Sequence, residues 1–226
     1  MQDVVIIGAG GFGREVLDVF DAVNSLKPLF RVLGFIVDPR FERAGVLVND
    51  KPILGGFDWL GEHRSDVQAI CGVGAPEQRY HLIERAQLLG IDFCSVIHPD
   101  AILTSRVTIG KGVVITAGCI FTNNIRIGNH VHVNLDCTVG HDVVIEDFAT
   151  ISPGSHVSGK VIIRKGAFIG TGTNIIEKID VGAWSTVGAG SAVIKNICEN
   201  GVAVGVPARI IKTRTLNWHL TGNGPR

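Results

Sequence analysis

Hydrophobic and polar positions along this chain follow two rhythms, and the change between them divides the sequence. From Ile109 to Val193 an aliphatic or aromatic residue occupies every sixth position: Ile109, Ile115, Phe121, Ile127, Val133, Val139, Ile145, Ile151, Val157, Ile163, Ile169, Ile175, Val181, Val187 and Val193. Four residues after each comes a second series, mostly small or β-branched, which includes Val113, Cys119, Val131, Cys137, Ala149, Ser155 and Ser191. A helix repeats at about 3.6 residues and an alternating strand at about two, so neither explains the pattern. A period of six is that of a parallel β-helix. Three hexads make one triangular coil of about 18 residues, with the sixth-position side chains stacked inward as a dry column. The repeat is also a ruler, because residues eighteen apart share an edge.

The first ninety-odd residues alternate differently. Val4–Ile7 reads as a short buried strand leading into Gly8-Ala9-Gly10-Gly11-Phe12-Gly13, and Arg14–Val23 has helical spacing. Val32–Val37 and Ala69–Val73 read as further strands, with Asp38-Pro39 ending the first of them. A helix opens at Pro76 and stops before Gly90, and Ile91–Val96 reads as a fourth strand. Alternating strands and helices imply a small parallel sheet with right-handed crossovers. The expected boundaries are an α/β, half-Rossmann-like domain over 1–97, a β-helix over 98–212, and a loosely held polar tail over 213–226.

Composition narrows the partners. The chain has 226 residues, with 21 basic and 21 acidic side chains and no long run of either sign. Nucleic acid as the main partner is disfavoured, since backbone binding needs a concentrated basic face. No stretch approaches the length of a membrane span, and Met1–Ile7 carries Asp3 and too short an apolar run for a signal peptide. Five scattered cysteines with no C-x-x-C pair fit a reducing cytoplasm, and Cys119 and Cys137 read as core thiols one coil apart.

Two places carry chemistry. Gly8, Gly10 and Gly13, with Gly11 and Phe12 between them, form a G-x-G-x-x-G loop between a strand and a helix. There a pyrophosphate can meet backbone amides at the helix N-terminus. Asp38 ends the next strand, where an acid can meet a ribose hydroxyl or a base edge. Fewer than a hundred residues supply only one mononucleotide half-site, so a nucleoside diphosphate sugar fits better than a dinucleotide. A second glycine turn, Gly72-Val73-Gly74, followed by Arg79, is a candidate further wall of the same pocket. The plain alternative is a tight turn without ligand.

The second place is His141. It follows inward Val139 by two positions and so faces out at a coil edge, with Asn123 one coil before it and Gly159 one coil after. An imidazole base beside a side-chain-free amide has the parts of an acyl-transfer site. Asp142 follows directly, and Asn134 lies seven residues earlier. A surface histidine at a subunit contact is the plain alternative. His130, His132 and His156 read as interfacial.

Taken together, the Gly8–Gly13 loop, Val-Asp-Pro at 37–39, Ile-His-Pro at 97–99, Asn134, Gly-His-Asp at 140–142, Ile-Ser-Pro-Gly at 151–154 and Val-Gly-Val-Pro-Ala-Arg at 204–209 resemble the bacterial nucleotide-sugar acetyltransferases of the hexapeptide-repeat family. The resemblance covers residues 3–212. It implies a left-handed β-helix and a homotrimer with acetyl-CoA lying along the coil between subunits. The implied reaction is acetylation of the 4-amino group of a UDP- or GDP-linked dideoxy sugar for surface glycans. His141 becomes the base and Asp142 its partner. Gly159 would give an amide to the thioester carbonyl, and Pro207 would lie with acetyl-CoA. The nucleotide-sugar falls to Gly8, Gly10, Gly11, Phe12, Gly13, Asp38, Arg79 and Asn134, and no metal is expected. The chain departs from some relatives at Thr150, where they carry a histidine, and it lacks the long external loop of many hexapeptide acyltransferases. Three alternatives stay open: a sugar O-acetyltransferase of the sialic-acid type, a non-catalytic nucleotide-sensing scaffold, and a zinc-dependent hydratase on the same fold. The last needs three converging histidines, and none of His130, His132, His141 and His156 is eighteen from another.

Overall fold

The computed structural model describes residues 1–38 and 43–221. Pro39 of the Val37–Pro39 motif and the last residues of the tail, 222–226, lie outside that range.

The amino-terminal unit contains β1 (Gln2–Ile7), α1 (Gly11–Leu26), β2 (Phe30–Ile36), β3 (Leu47–Val48), β4 (Lys51–Gly55), α2 (Phe57–Glu62), β5 (Gln68–Cys71) and α3 (Pro76–Leu88). The sheet order is β3-β4-β2-β1-β5, parallel except for the β3–β4 hairpin. The apolar run Val4–Ile7 is buried on both faces, as a central parallel strand must be. From β1 the chain moves outward through β2 and β4, then returns to the other side of β1 as β5. That reversal is a topological switch point, and it opens a crevice between the loops that follow β1 and β5.

The rest of the described chain is the coil. One face stacks the strands Val96–Ile97, Val114–Ile115, His132–Val133, Thr150–Ile151, Phe168–Ile169 and Thr186–Val187. A second face stacks Ile102–Leu103, Ile120–Phe121, Thr138–Val139, His156–Val157, Asn174–Ile175 and Ala192–Val193. A third runs from Val107–Ile109 to Asp180–Val181. From Ile115 to Val193 the sixth-position residues are at most 5% exposed and form the core with the second series, in which Val113, Cys119, Cys137 and Ala149 are fully buried. Burying each such aliphatic side chain contributes roughly 1.5–3 kcal/mol.

The corners turn through a left-handed residue. Asn124, Asp142, Lys160 and Lys178 hold φ of 54°, 60°, 59° and 62° at one corner, and His130, Phe148 and Trp184 hold 56°, 63° and 54° at another. Each non-glycine residue there costs about 1–2 kcal/mol, so the rings need compensation. They have it: His130 stacks on Phe148 at 5.2 Å, and Trp184 stacks on His219 at 3.8 Å. This ring-lined corner packs against α3 through Tyr80, and the first coil face lies beneath α1 and β5.

Three expectations need correction, and one stretch carried none. Ile91–Val96 is not a strand of the first sheet; Phe93 makes only an isolated bridge to Ala69. Val96–Ile97 instead pairs with Val114–Ile115, so the coil begins two residues ahead of the boundary at 98. The β3–β4 hairpin and α2 went unread because each is too short to display a period. Finally, the tail is held through residue 221: Trp218–Leu220 forms a short helix, and His81 bonds the His219 carbonyl at 2.7 Å.

All five cysteines are unpaired, and only Cys198 is exposed. Burial pushes the Cys71 thiol up to about 11 and the Cys94 thiol up to about 12. A thiol reagent at neutral pH should therefore consume about one equivalent on the native protein and about five after denaturation. Rapid labelling of more than two native thiols would contradict this packing.

Candidate active site

The dyad follows from coil geometry. Inward Val139 and Val143 fix the corner between them, and the outward positions fall to His141 and Asp142. The positive φ of Asp142 swings its carboxylate back toward the ring, and Oδ2 lies 2.8 Å from His141 Nδ1. A carboxylate only accepts, so Nδ1 carries the proton and Nε2 is left with a free lone pair. That arrangement is what a general base needs. The His141 side chain is 60% exposed, so its ring is open to a ligand. Hydrogen bonds from His141 and from Asn124 Nδ2 (3.4 Å to Oδ1), together with the charge of Lys160, hold the Asp142 carboxyl below its usual range.

Gly159 is where the coil above makes room for this ring. A Cβ there would sit 2.5 Å from His141 Nε2 and 2.6 Å from Cε1, inside any real contact distance. The imidazole therefore lies across the glycine. Among the described residues no acceptor takes the Gly159 N–H, so it remains able to donate. Asn124 was missed in the sequence, yet the coil ruler contains it: it stands eighteen residues before Asp142.

The glycine loop has its own logic. Gly13 approaches Gly8 so closely that a Cβ would fall 2.0 Å from the Gly8 carbonyl oxygen, which locks the start of α1 onto the end of β1. Gly10 and Gly11, by contrast, meet nothing within 4 Å. The N-terminus of α1 has no side-chain cap and no acidic residue in its first turn. Its unpaired amides and dipole thus face open space, a ready site for an anion. Asp38 sits half-buried just past β2 at the same sheet edge. Phe12 reaches across the junction to the His132 ring at 4.8 Å. Asn134, two residues beyond His132 and 8% exposed, gives its amide to the Ile151 carbonyl at 3.1 Å. Pro207 lies on the exposed turn after the last coil and follows a cis peptide bond.

Arg79 is not a pocket wall. It is fully buried between the two domains, and its guanidinium bonds the carbonyls of Val73, Gly74, His130, Phe148 and Ala149, Thr150 Oγ1 and His132 Nδ1 at 2.6–3.2 Å. Thr150, bonded in turn to the Gly74 carbonyl at 2.8 Å, belongs to the same joint. His130 and His132 are not at an open interface either, for they are 3% and 0% exposed. Burial lowers the His130 pKa to about 4 and holds His132 well below its ordinary value, so both are neutral. The zinc reading would need open, converging imidazoles, and these two are enclosed. Among the described residues no group of three or more metal-ligating side chains is assembled.

Comparison with known proteins places this architecture. Residues 3–86 match the family described as PglD N-terminal domain. Perosamine N-acetyltransferase from Caulobacter crescentus, solved as a histidine-to-asparagine mutant with CoA and GDP-perosamine, is 28% identical with a TM-score of 0.85, over 93% of this chain and 97% of that one. The acetyltransferase domain of PglB from Neisseria gonorrhoeae FA1090 is 30% identical with a TM-score of 0.84, over 93% of this chain and 100% of that one. UDP-N-acetylbacillosamine N-acetyltransferase of Bacillus subtilis (strain 168) is 36% identical over 127 residues, 52% of each chain, so the match spans about half of that curated relative. The fold is that of acetyltransferases built on a left-handed β-helix. Within that class, the chain belongs to the nucleotide-sugar N-acetyltransferase family with a PglD-type amino-terminal domain.

The fit of imidazole over glycine is directly testable. In a Gly159→Ala variant the added methyl would displace the His141 ring, and the ¹⁵N resonances of that imidazole should shift while the other histidines keep theirs. Unchanged His141 resonances would mean that the ring does not lie across residue 159.

Proposed function

We propose that this chain transfers acetyl from acetyl-CoA to the 4-amino group of a nucleotide-linked 4-amino-4,6-dideoxy sugar, with GDP-perosamine as the first candidate acceptor. The observation that carries this reading is the His141–Asp142 pair seated across Gly159. The acceptor amine attacks the thioester carbonyl as the neutral base, and His141 Nε2 takes the proton that the nitrogen sheds. Asp142 holds the imidazole in the required tautomer and stabilises the imidazolium that forms. The Gly159 N–H meets the tetrahedral oxyanion. Collapse expels the CoA thiolate, which needs little acid assistance.

Acceptor binding goes to the crevice in the amino-terminal domain, with the diphosphate at Gly10–Gly13 and Asp38 toward the ribose or base. CoA runs along the coil, with Pro207 near its path. The sugar O-acetyltransferase alternative differs only in the acceptor atom. A cytoplasmic setting goes with the reading, because five unpaired thiols fit a reducing compartment.

A homotrimer completes the proposal. In one chain the glycine crevice lies on the first coil face, while His141 lies at the corner between the other two. The second face also leaves Ile102 and Ile120 exposed, at 59% and 41%. Joining the crevice to the histidine calls for a neighbouring copy, and those apolar residues give it a surface. Light scattering should return about three times the 24.1 kDa chain mass. A monomer at working concentration would remove this part of the proposal.

Thiol release from acetyl-CoA should be measured against a panel of GDP- and UDP-linked 4-amino sugars and their 4-hydroxy counterparts. N-acetylation predicts activity with the amines alone, and release with none of the panel would overturn the reading. His141→Ala should lower kcat by roughly 10²-fold or more, the span expected when a general base is lost. Its fold should survive, because the side chain stands outside the core column. Retention of more than about a third of wild-type kcat would assign proton removal elsewhere.

A further inference from the structure

We infer that Arg79, although it touches no solvent, acts as a positioning and specificity residue for the acceptor's diphosphate, through the Gly72-Val73-Gly74 turn that walls the nucleotide crevice. This rests on the reading that a nucleoside diphosphate sugar occupies the crevice.

Two features of the joint carry the inference. The first is direction. Arg79 Nη1 holds the carbonyls of Val73 and Gly74, each at 2.9 Å, and Thr150 Oγ1 adds a second bond to the Gly74 carbonyl. In a trans peptide the N–H points opposite to the C=O. Drawing both carbonyls inward therefore turns the N–H groups of Gly74 and Ala75 away from the joint. Among the described residues neither amide has an acceptor, and a Cβ at Gly74 would meet nothing within 4 Å. The turn faces open space with donors rather than acceptors, which suits an anion.

The second feature is charge. Among the described residues no carboxylate lies within 4.0 Å of the Arg79 guanidinium. The seven groups it bonds are neutral, and Glu77 acts on it only at longer range. Burial lowers its pKa to about 10, which leaves it charged at neutral pH. A buried cation without a paired anion is an expensive way to glue two domains, and an apolar side chain would do that with less penalty. What the guanidinium supplies beyond glue is a fixed positive field behind the crevice wall, in surroundings where water screens it poorly.

Calorimetric titration separates this role from a structural one. GDP, UDP, guanosine, uridine and CoA should be titrated into wild type, Arg79→Met and Arg79→Lys. Arg79→Met should weaken the nucleoside diphosphate that wild type binds by about tenfold, with nucleoside and CoA affinities within about twofold, while Arg79→Lys recovers part of the loss. Equal weakening of nucleoside and diphosphate, or no weakening in folded Arg79→Met, would overturn the inference alone. Should Arg79→Met fail to fold, Thr150→Val removes one of the two bonds on the Gly74 carbonyl without touching the charge. It should weaken the diphosphate selectively by about threefold, and an unselective or absent effect would overturn the inference. Wild type that binds neither GDP nor UDP would instead overturn the underlying reading.

Discussion

Everything in this molecule is subordinate to the in-register stacking of successive coils. His132 N donates to the Ala149 carbonyl, Thr138 N to Ser155 and Gly140 N to Val157, and the same offset of seventeen recurs from coil to coil. A ladder of this kind leaves no latitude inside: each sixth position must be apolar and each corner must turn through a left-handed residue. Outward positions carry no such demand. The coil thus concentrates its constraints in the interior and leaves its edges available for chemistry, which is how a histidine, a carboxylate and a bare glycine come to share one corner.

The joint between the domains shows the opposite economy. The ring-lined corner, the Arg79 guanidinium and the Thr150 hydroxyl knit the β5–α3 turn to the coil with directional contacts rather than apolar surface alone. Hydrogen bonds fix angles as well as distances. A nucleotide half-site that must present a sugar at a set height along the coil needs that angular definition.

How far these arrangements could be read in advance depended on whether they leave a period. The coil was legible residue by residue, and His141 followed from counting outward from Val139. The same ruler would have found Asn124 beneath Asp142. The joint was not legible. Arg79 has no rhythm that distinguishes a buried cation from a pocket cation, and its partners in the coil lie 51–71 residues away, mostly carbonyls, which any residue supplies. The outward register of His130 and His132 is visible in the sequence, whereas the domain that covers them is not. The short β3–β4 hairpin and α2 fell below the length at which amphipathic patterning appears.

The last coil ends with a reversal. Gly201–Val204 is met by the antiparallel strand Arg209–Thr213, all five residues of which are exposed. A parallel β-helix is a template without a natural stopping point, and a bare final coil would offer its amides and carbonyls to any other chain that could extend the stack. Turning the chain back gives that rim a strand of the wrong direction, studded with Arg209 and Lys212, and shifts the register between Val202 and Ala203. The hairpin works as a terminator on that face: it occupies the edge onto which a further coil would have to be added in register.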